Sequence, residues 1–188
     1  NLPLSMDKDM QVMSFPACTN EQGYQIKPKF EPNGPYGESD GSVSNYTLVM
    51  DVLFPTTSMN KWHALVQTDL TNGSDSELFI HWRNGIGINN NYRGLIKPNT
   101  WHRIIWSVRA APKEGQAQRY IDGQAIGAIG TTGSGLNDRW SIVSDLLLFT
   151  DENGEKKLCA KDEKSSFCFM IPPNLNKDTF INQISQLQ

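Results

Sequence analysis

The stretch Tyr120-Ile121-Asp122-Gly123 constrains this chain more than any other. Asp-Gly between two apolar runs, here residues 117–121 and Ile126, is the strongest short-range hairpin signal. A type I′ turn needs positive φ at both central residues, which Asp tolerates and Gly adopts freely. The hairpin closes a segment, residues 77–127, that reads as four short strands. Residues 78–82 and 86–88 are apolar runs split by Asn84-Gly85, and residues 101–108 are an aromatic and β-branched run entered through Pro98-Asn99. Such a segment is expected to form an antiparallel meander.

Alternation along the other runs tells the same story. Tyr46, Leu48, Met50, Val52 and Phe54 share one face of a strand and Thr47, Val49, Asp51 and Leu53 the other. Apolar groups on both faces predict a central strand. Residues 62–69 set Trp62, Ala64, Val66 and Thr68 against His63, Leu65, Gln67 and Asp69, which predicts a half-buried strand with one face toward water or ligand. In the run that follows Pro98-Asn99, Trp101, Arg103, Ile105 and Ser107 oppose His102, Ile104, Trp106 and Val108. Trp101 and Trp106 are read as core, and Trp62 and Trp140 as core or strand-end anchors. Residues 28–41, dense in Pro, Gly and Asn, are expected as a surface loop. A short C-terminal helix is expected from Asn176, with Phe180, Ile181, Ile184 and Leu187 on one face.

In order, YTLVMDVLFP, WHALVQTD, ELFIHWRNGIGI, the Pro-Asn-Thr-Trp-His entry, RYIDGQ and GLNDRWSIVSDLLLFTDENGE resemble the laminin-G-like, concanavalin A-like jelly roll. The resemblance implies an all-β, two-sheet antiparallel jelly-roll sandwich. It also implies that the N-terminal segment pairs with the C-terminal strand. It covers the chain from about Val43 onward, and 188 residues suit one domain, 1–188.

Neither telling motif is catalytic. The E-x-D-x-x-E carboxylate strand of the related glucanases is absent, as are a G-x-S-x-G elbow and an H-E-x-x-H helix. The chain is therefore expected not to be an enzyme, with glycoside hydrolysis as the remote alternative. His63, His81 and His102 read as separate strand residues rather than a metal triad. The glycine-rich GTTGSG lacks the lysine of a phosphate loop.

A formal net charge of −3 without a long basic cluster argues against nucleic acid and anionic membrane as partners. No run of about 18 apolar residues is present, so no membrane insertion is expected. Cys18, Cys159 and Cys168 lack CxxC spacing. They read as buried or spare thiols, or as a Cys159–Cys168 bridge in an oxidising compartment, with Cys18–Cys159 as the rival pairing. No cofactor is required by any motif. Calcium is the one metal suggested, because Asp151, Asn153 and Glu155 alternate oxygen ligands along an acidic turn.

Glycan recognition is the leading functional expectation. Sugar rings stack apolar C–H faces on aromatics while their hydroxyls need planar polar partners. Trp82, Arg83, Asn89, Asn91, Tyr92 and Arg93 supply that mixture within a dozen residues. The alternative is a structural or adhesion module that binds a cell-surface protein. Either role places the chain outside the cell, at its surface or in a periplasm, as part of a larger secreted protein.

Overall fold

The computed structural model describes residues 12–15, 24–27, 30–69, 76–130, 135–143, 145–149, 167–170 and 184–186. In chain order the strands are β1 (Val12–Phe15), β2 (Tyr24–Ile26), β3 (Asn45–Leu53), β4 (His63–Gln67), β5 (Glu77–Ile80), β6 (Ile86–Ile88), β7 (Asn91–Arg93), β8 (Trp101–Arg109), β9 (Gln116–Ile121), β10 (Gln124–Ile129), β11 (Leu146–Leu148), β12 (Phe167–Met170) and β13 (Ile184–Gln186). They form two antiparallel sheets, one ordered β1-β12-β3-β8-β9-β10 and the other β13-β2-β11-β4-β5-β6-β7. This is the all-β jelly-roll sandwich that the sequence implies. The pairings of β1 with β12 and of β2 with β13 join the two ends of the described chain, one pair in each sheet.

The core lies between the sheets. Met50 and Val52 on β3, Ile104, Trp106 and Val108 on β8, and Leu78, Ile80, Ile86 and Ile88 from the facing sheet are all buried in it. Tyr46 and Leu48 pack against it as well. Strand alternation dictates these faces, because successive side chains point to opposite sides of a pleated backbone. Burying a side chain of this size removes roughly 1.5–3 kcal/mol worth of apolar surface from water. Asp122 (φ 52°) and Gly123 (φ 80°) both take the left-handed backbone that the hairpin requires.

Four expectations need correction. The segment 77–127 is not one meander. β5, β6 and β7 continue one sheet, and the chain then crosses over residues 94–100 to begin β8 in the other. Turn signals locate where strands end, and they carry nothing about which sheet the next strand joins. Trp101 is half-buried on the outer side of β8, whereas Trp106 is fully buried. An odd spacing of five residues puts the two rings on opposite faces. All five residues of β4 are buried, so neither of its faces is open. The rings described below cover the second one.

The last correction concerns helices. Gly34–Asp40 forms α1, where the sequence predicted loop. Pro in its first turn presets φ, and Gly41 stops it at φ 75°, donating its N–H to Gly37 O at 3.1 Å. Tyr36 fastens this turn to the sandwich by donating its hydroxyl to Leu136 O at 3.0 Å. At the other end, Ile184–Gln186 is strand β13 rather than helix. The rest of the expected C-terminal helix lies outside the described residues.

Candidate functional site

β5 separates two environments. Leu78 and Ile80 enter the core, while Phe79 points to the opposite face and His81 continues its parity just beyond the strand. Cross-strand register sets Ala64 beside Phe79, Phe79 beside Gly87, and Gly87 beside Tyr92. Ala64 and Phe79 form a small cluster against which Trp62 and Tyr92 pack. Trp62 stands edge-on to Phe79 at 6.3 Å, to Tyr92 at 5.3 Å and to His81 at 4.4 Å between ring centroids. His81 in turn lies over Tyr92 at 4.6 Å and over Trp82 at 5.2 Å, with interplanar angles of 32° and 34°. Together these rings pave the outer face of the β4–β7 sheet.

The turn after β5 holds the outermost rings. His81 N–H donates to Gly85 O at 2.8 Å, and Asn84, with φ 64°, donates its N–H to His81 O at 2.6 Å. Asn84 Oδ1 accepts Asn60 N–H at 3.0 Å, and the two side chains bond at 3.3 Å. This pair joins the turn that carries Trp82 to the loop that carries Trp62. Arg83 N–H donates to His81 Nδ1 at 3.1 Å, which fixes that nitrogen as an acceptor. The Arg83 guanidinium carbon sits 4.5 Å over the Trp82 ring. Trp82 itself is 44% exposed.

Electrostatics agree with that geometry. Burial against its neighbours, and then the charge of Arg83, lower the His81 pKa from its usual 6.5, favouring the neutral ring that the Arg83 N–H needs. Burial, and then Glu77, raise the Tyr92 pKa, so its hydroxyl remains a donor.

The six residues singled out from sequence divide in two. Trp82, Arg83 and Tyr92 meet on the ring face. Asn89 sits in the β6–β7 turn, where it and Asn90 take φ 49° and 62°. Asn91 and Arg93 pair with Ile88 and Ile86, the residues of β6 that enter the core, so their parity points away from the rings. Asn91 Oδ1 accepts a hydrogen bond from Arg119 Nη2 at 3.2 Å. Sequence reasoning missed Trp62, Phe79 and His81 as partners. The usable signal was the shared parity of Phe79 and His81, opposite to Leu78 and Ile80.

Asp151, Asn153 and Glu155 lie outside the described residues, as do Cys18 and Cys159; Cys168 is on β12. Among the described residues no group of three or more His, Cys, Asp or Glu side chains is placed to hold a metal. His63 and His102 stand apart from His81. His63 Nε2 donates to Ser58 O at 2.7 Å. His102 Nε2 accepts Lys97 N–H at 3.0 Å while Nδ1 donates to Asp122 at 2.7 Å. An open cleft of about 580 Å³ lies elsewhere, lined in part by Pro35, Asn45, Arg109 and Pro112. No helix among the described residues is long and apolar enough to cross a membrane.

No family model matches the chain, and no curated protein does. Solved structures do. A heptameric SAP-like pentraxin from Limulus polyphemus is 14% identical, with a TM-score of 0.50 over 88% of this chain and 76% of that one. The endo-β-1,4-glucuronan lyase of Trichoderma reesei is 10% identical, with a TM-score of 0.49 over 87% of each chain. The CBM40 of a Ruminococcus gnavus IT-sialidase, solved with α2,3-sialyllactose, is 12% identical, with a TM-score of 0.45 over 90% of this chain and 96% of that one. At these identities the likeness is one of fold. It nevertheless overturns the expectation that the chain is not an enzyme, because glycan-processing enzymes stand among the similar structures. A missing E-x-D-x-x-E strand speaks only to one carboxylate-pair reaction, whereas a sandwich fold hosts unrelated chemistries at sites built from other residues.

Proposed function

We propose that the chain recognises glycan on the ring face formed by Trp62, His81, Trp82 and Tyr92. The observation that carries this reading is the exposure of Trp82 beside His81 and Tyr92, with Arg83 stacked on it. An exposed ring offers the apolar surface that a pyranose C–H face stacks on, and the tyrosine hydroxyl and arginine N–H groups supply partners for sugar oxygens. Among the described residues the other large exposed apolar side chains are Phe30, Val49, Leu95 and Val143. Val49 lies on β3, in the other sheet from the ring face, which supports glycan over a protein partner that would favour one contiguous patch. A narrower laminin-G-like kinship, a place outside the cell and a calcium ion at Asp151, Asn153 and Glu155 belong to the same proposal.

A glycan array run with and without EDTA tests ligand class and metal dependence together. The hit is then titrated against Trp82→Ala, with reducing-end release followed in the same mixture to detect turnover. Binding is expected to be lost in this variant while its melting temperature stays near that of the parent. Unchanged glycan binding in a folded Trp82→Ala, Tyr92→Ala double variant removes this face as the site.

A further inference from the structure

We infer that the glycan taken by this face is anionic, and that Arg83 is the residue that meets its carboxylate or sulfate. This rests on the glycan reading and adds the charge of the ligand to it.

The first observation is the distribution of ion pairs. Among the described residues, Asp51 is matched to Arg103, Glu114 to Arg109 and Asp145 to Lys27. Arg83, Arg93 and Arg119 enter no such pair, and neither does Arg139 beside Trp140. A chain of net charge −3 thus keeps three unmatched guanidinium groups on or beside the β5–β7 corner.

The second observation is how Arg83 is held. Its backbone rests on His81 and its guanidinium lies over the Trp82 ring. A guanidinium stacked on a ring keeps its N–H donors in its own plane, directed at whatever lies beside the ring. A carboxylate or sulfate on a sugar stacked at Trp82 would find a planar fork there, the geometry that binds such groups in a bidentate way. A neutral sugar offers this fork no charged partner.

The third observation concerns the burial of Arg119. Arg119 is 1% exposed, and its hydrogen bonds end on uncharged oxygens: the carbonyls of Ile86, Asn91 and Gly127 and the amide oxygen of Asn91. Gly127 separates Arg119 from Arg93, since a Cβ there would lie 3.6 Å from Arg119 Nη2 and 3.9 Å from Arg93 Cγ. A buried cation with no carboxylate beside it projects positive potential through a low-dielectric wall onto the strands above it. Glu77, whose charge is felt at Tyr92, opposes this field.

The test uses oligosaccharides with one backbone and different charges: cellohexaose, the hexamer of β-1,4-linked glucuronate, and a sulfated cellohexaose. Calorimetric titration is expected to favour an acidic hexamer over cellohexaose by about tenfold or more, the worth of one charge-assisted contact. Which of the two acidic arms is tighter distinguishes carboxylate from sulfate as the group recognised. Raising the salt to about 0.5 M should shrink the preference, and Arg83→Gln should reduce it below about twofold. Equal affinity for the neutral and acidic hexamers, with Trp82→Ala abolishing both, overturns the charge inference and leaves the glycan reading standing. Failure of all three hexamers, and of every other glycan, to bind the folded protein overturns both. An acidic preference that persists in Arg83→Gln and at high salt overturns the role given to Arg83.

Discussion

Arg119 of β9 donates to both the carbonyl and the side-chain oxygen of Asn91 on β7, so a residue of one sheet is bound to the free edge strand of the other. β7 is three residues long and, among the described residues, pairs in its sheet with β6 alone. Its position, and that of Tyr92 within it, depends on this contact.

Arg119→Met is therefore expected to destabilise the protein by about 2 kcal/mol or more, because the carbonyls of Ile86 and Asn91 lose a charged donor inside the sandwich. Arg119→Lys should not restore the loss, since one ammonium cannot span oxygens on three strands. Urea unfolding of both variants checks this, and parent-like stability of either would contradict it.

Gly87 pairs with Tyr92 across the β6–β7 hairpin. A Cβ at this position would overlap the Asn91 carbonyl oxygen and stand 2.5 Å from Arg119 Nη1. Gly87→Ala should cost about 1–3 kcal/mol through overpacking. Glycan affinity should fall with it because Tyr92 shifts. Trp82→Ala offers the contrast, with binding lost and melting temperature retained.

Trp106 is fully buried, edge-on to Tyr46 and inclined to Trp140, with ring centroids 6.1 Å away in each case. Trp106→Ala should cost about 3–5 kcal/mol by leaving a cavity. Its Nε1 proton has no hydrogen-bond acceptor among the described residues. Trp106→Phe removes that donor along with part of the ring, so it should cost distinctly less than the alanine variant. Equal losses in denaturant unfolding would contradict the assignment of the ring's bulk to the core.

Burial lowers the pKa of His63 as it does that of His81, from the usual 6.5 in each case. Between that value and the lowered ones, the unfolded chain binds more protons than the folded one. Stability is therefore expected to decline as pH drops from about 6.5 through the folded values, and to be unaffected by these groups above 6.5. The decline should be smaller in His63→Gln, measured by thermal unfolding between about pH 7 and 5. A decline of the same size in that variant would show that His63 contributes nothing to it.

Local chemistry written over two to nine residues was legible in the sequence. Asp122-Gly123 turned as its backbone preferences require, and β3 and β8 alternated as their apolar patterns require. What covers a face was not legible, because that depends on another segment. β4 is buried on both sides since Trp62, Phe79 and Tyr92 lie over it, and no pattern within residues 62–69 records their arrival. β7 reads as Asn-Tyr-Arg, too short and polar to signal a strand. Arg119 of β9 takes its acceptors from the other sheet, and no pattern within residues 116–121 records them. In the candidate site, the adjacent Trp82 and Arg83 were visible as a pair, whereas the stacking of His81 between Trp82 and Tyr92 required the fold.

Three pairings set the timetable by which this molecule is completed: β12 beside β3 and β1 in one sheet, and β13 beside β2 in the other. Each brings a late segment to an early one, so the growing chain carries β1, β2 and one margin of β3 unpaired through most of its synthesis. Contacts of this separation form slowly, and open strand margins attract other chains while they wait. The hazard for this protein thus lies in the interval before its last strands emerge, when slower elongation would prolong the exposure of those margins to neighbouring nascent chains.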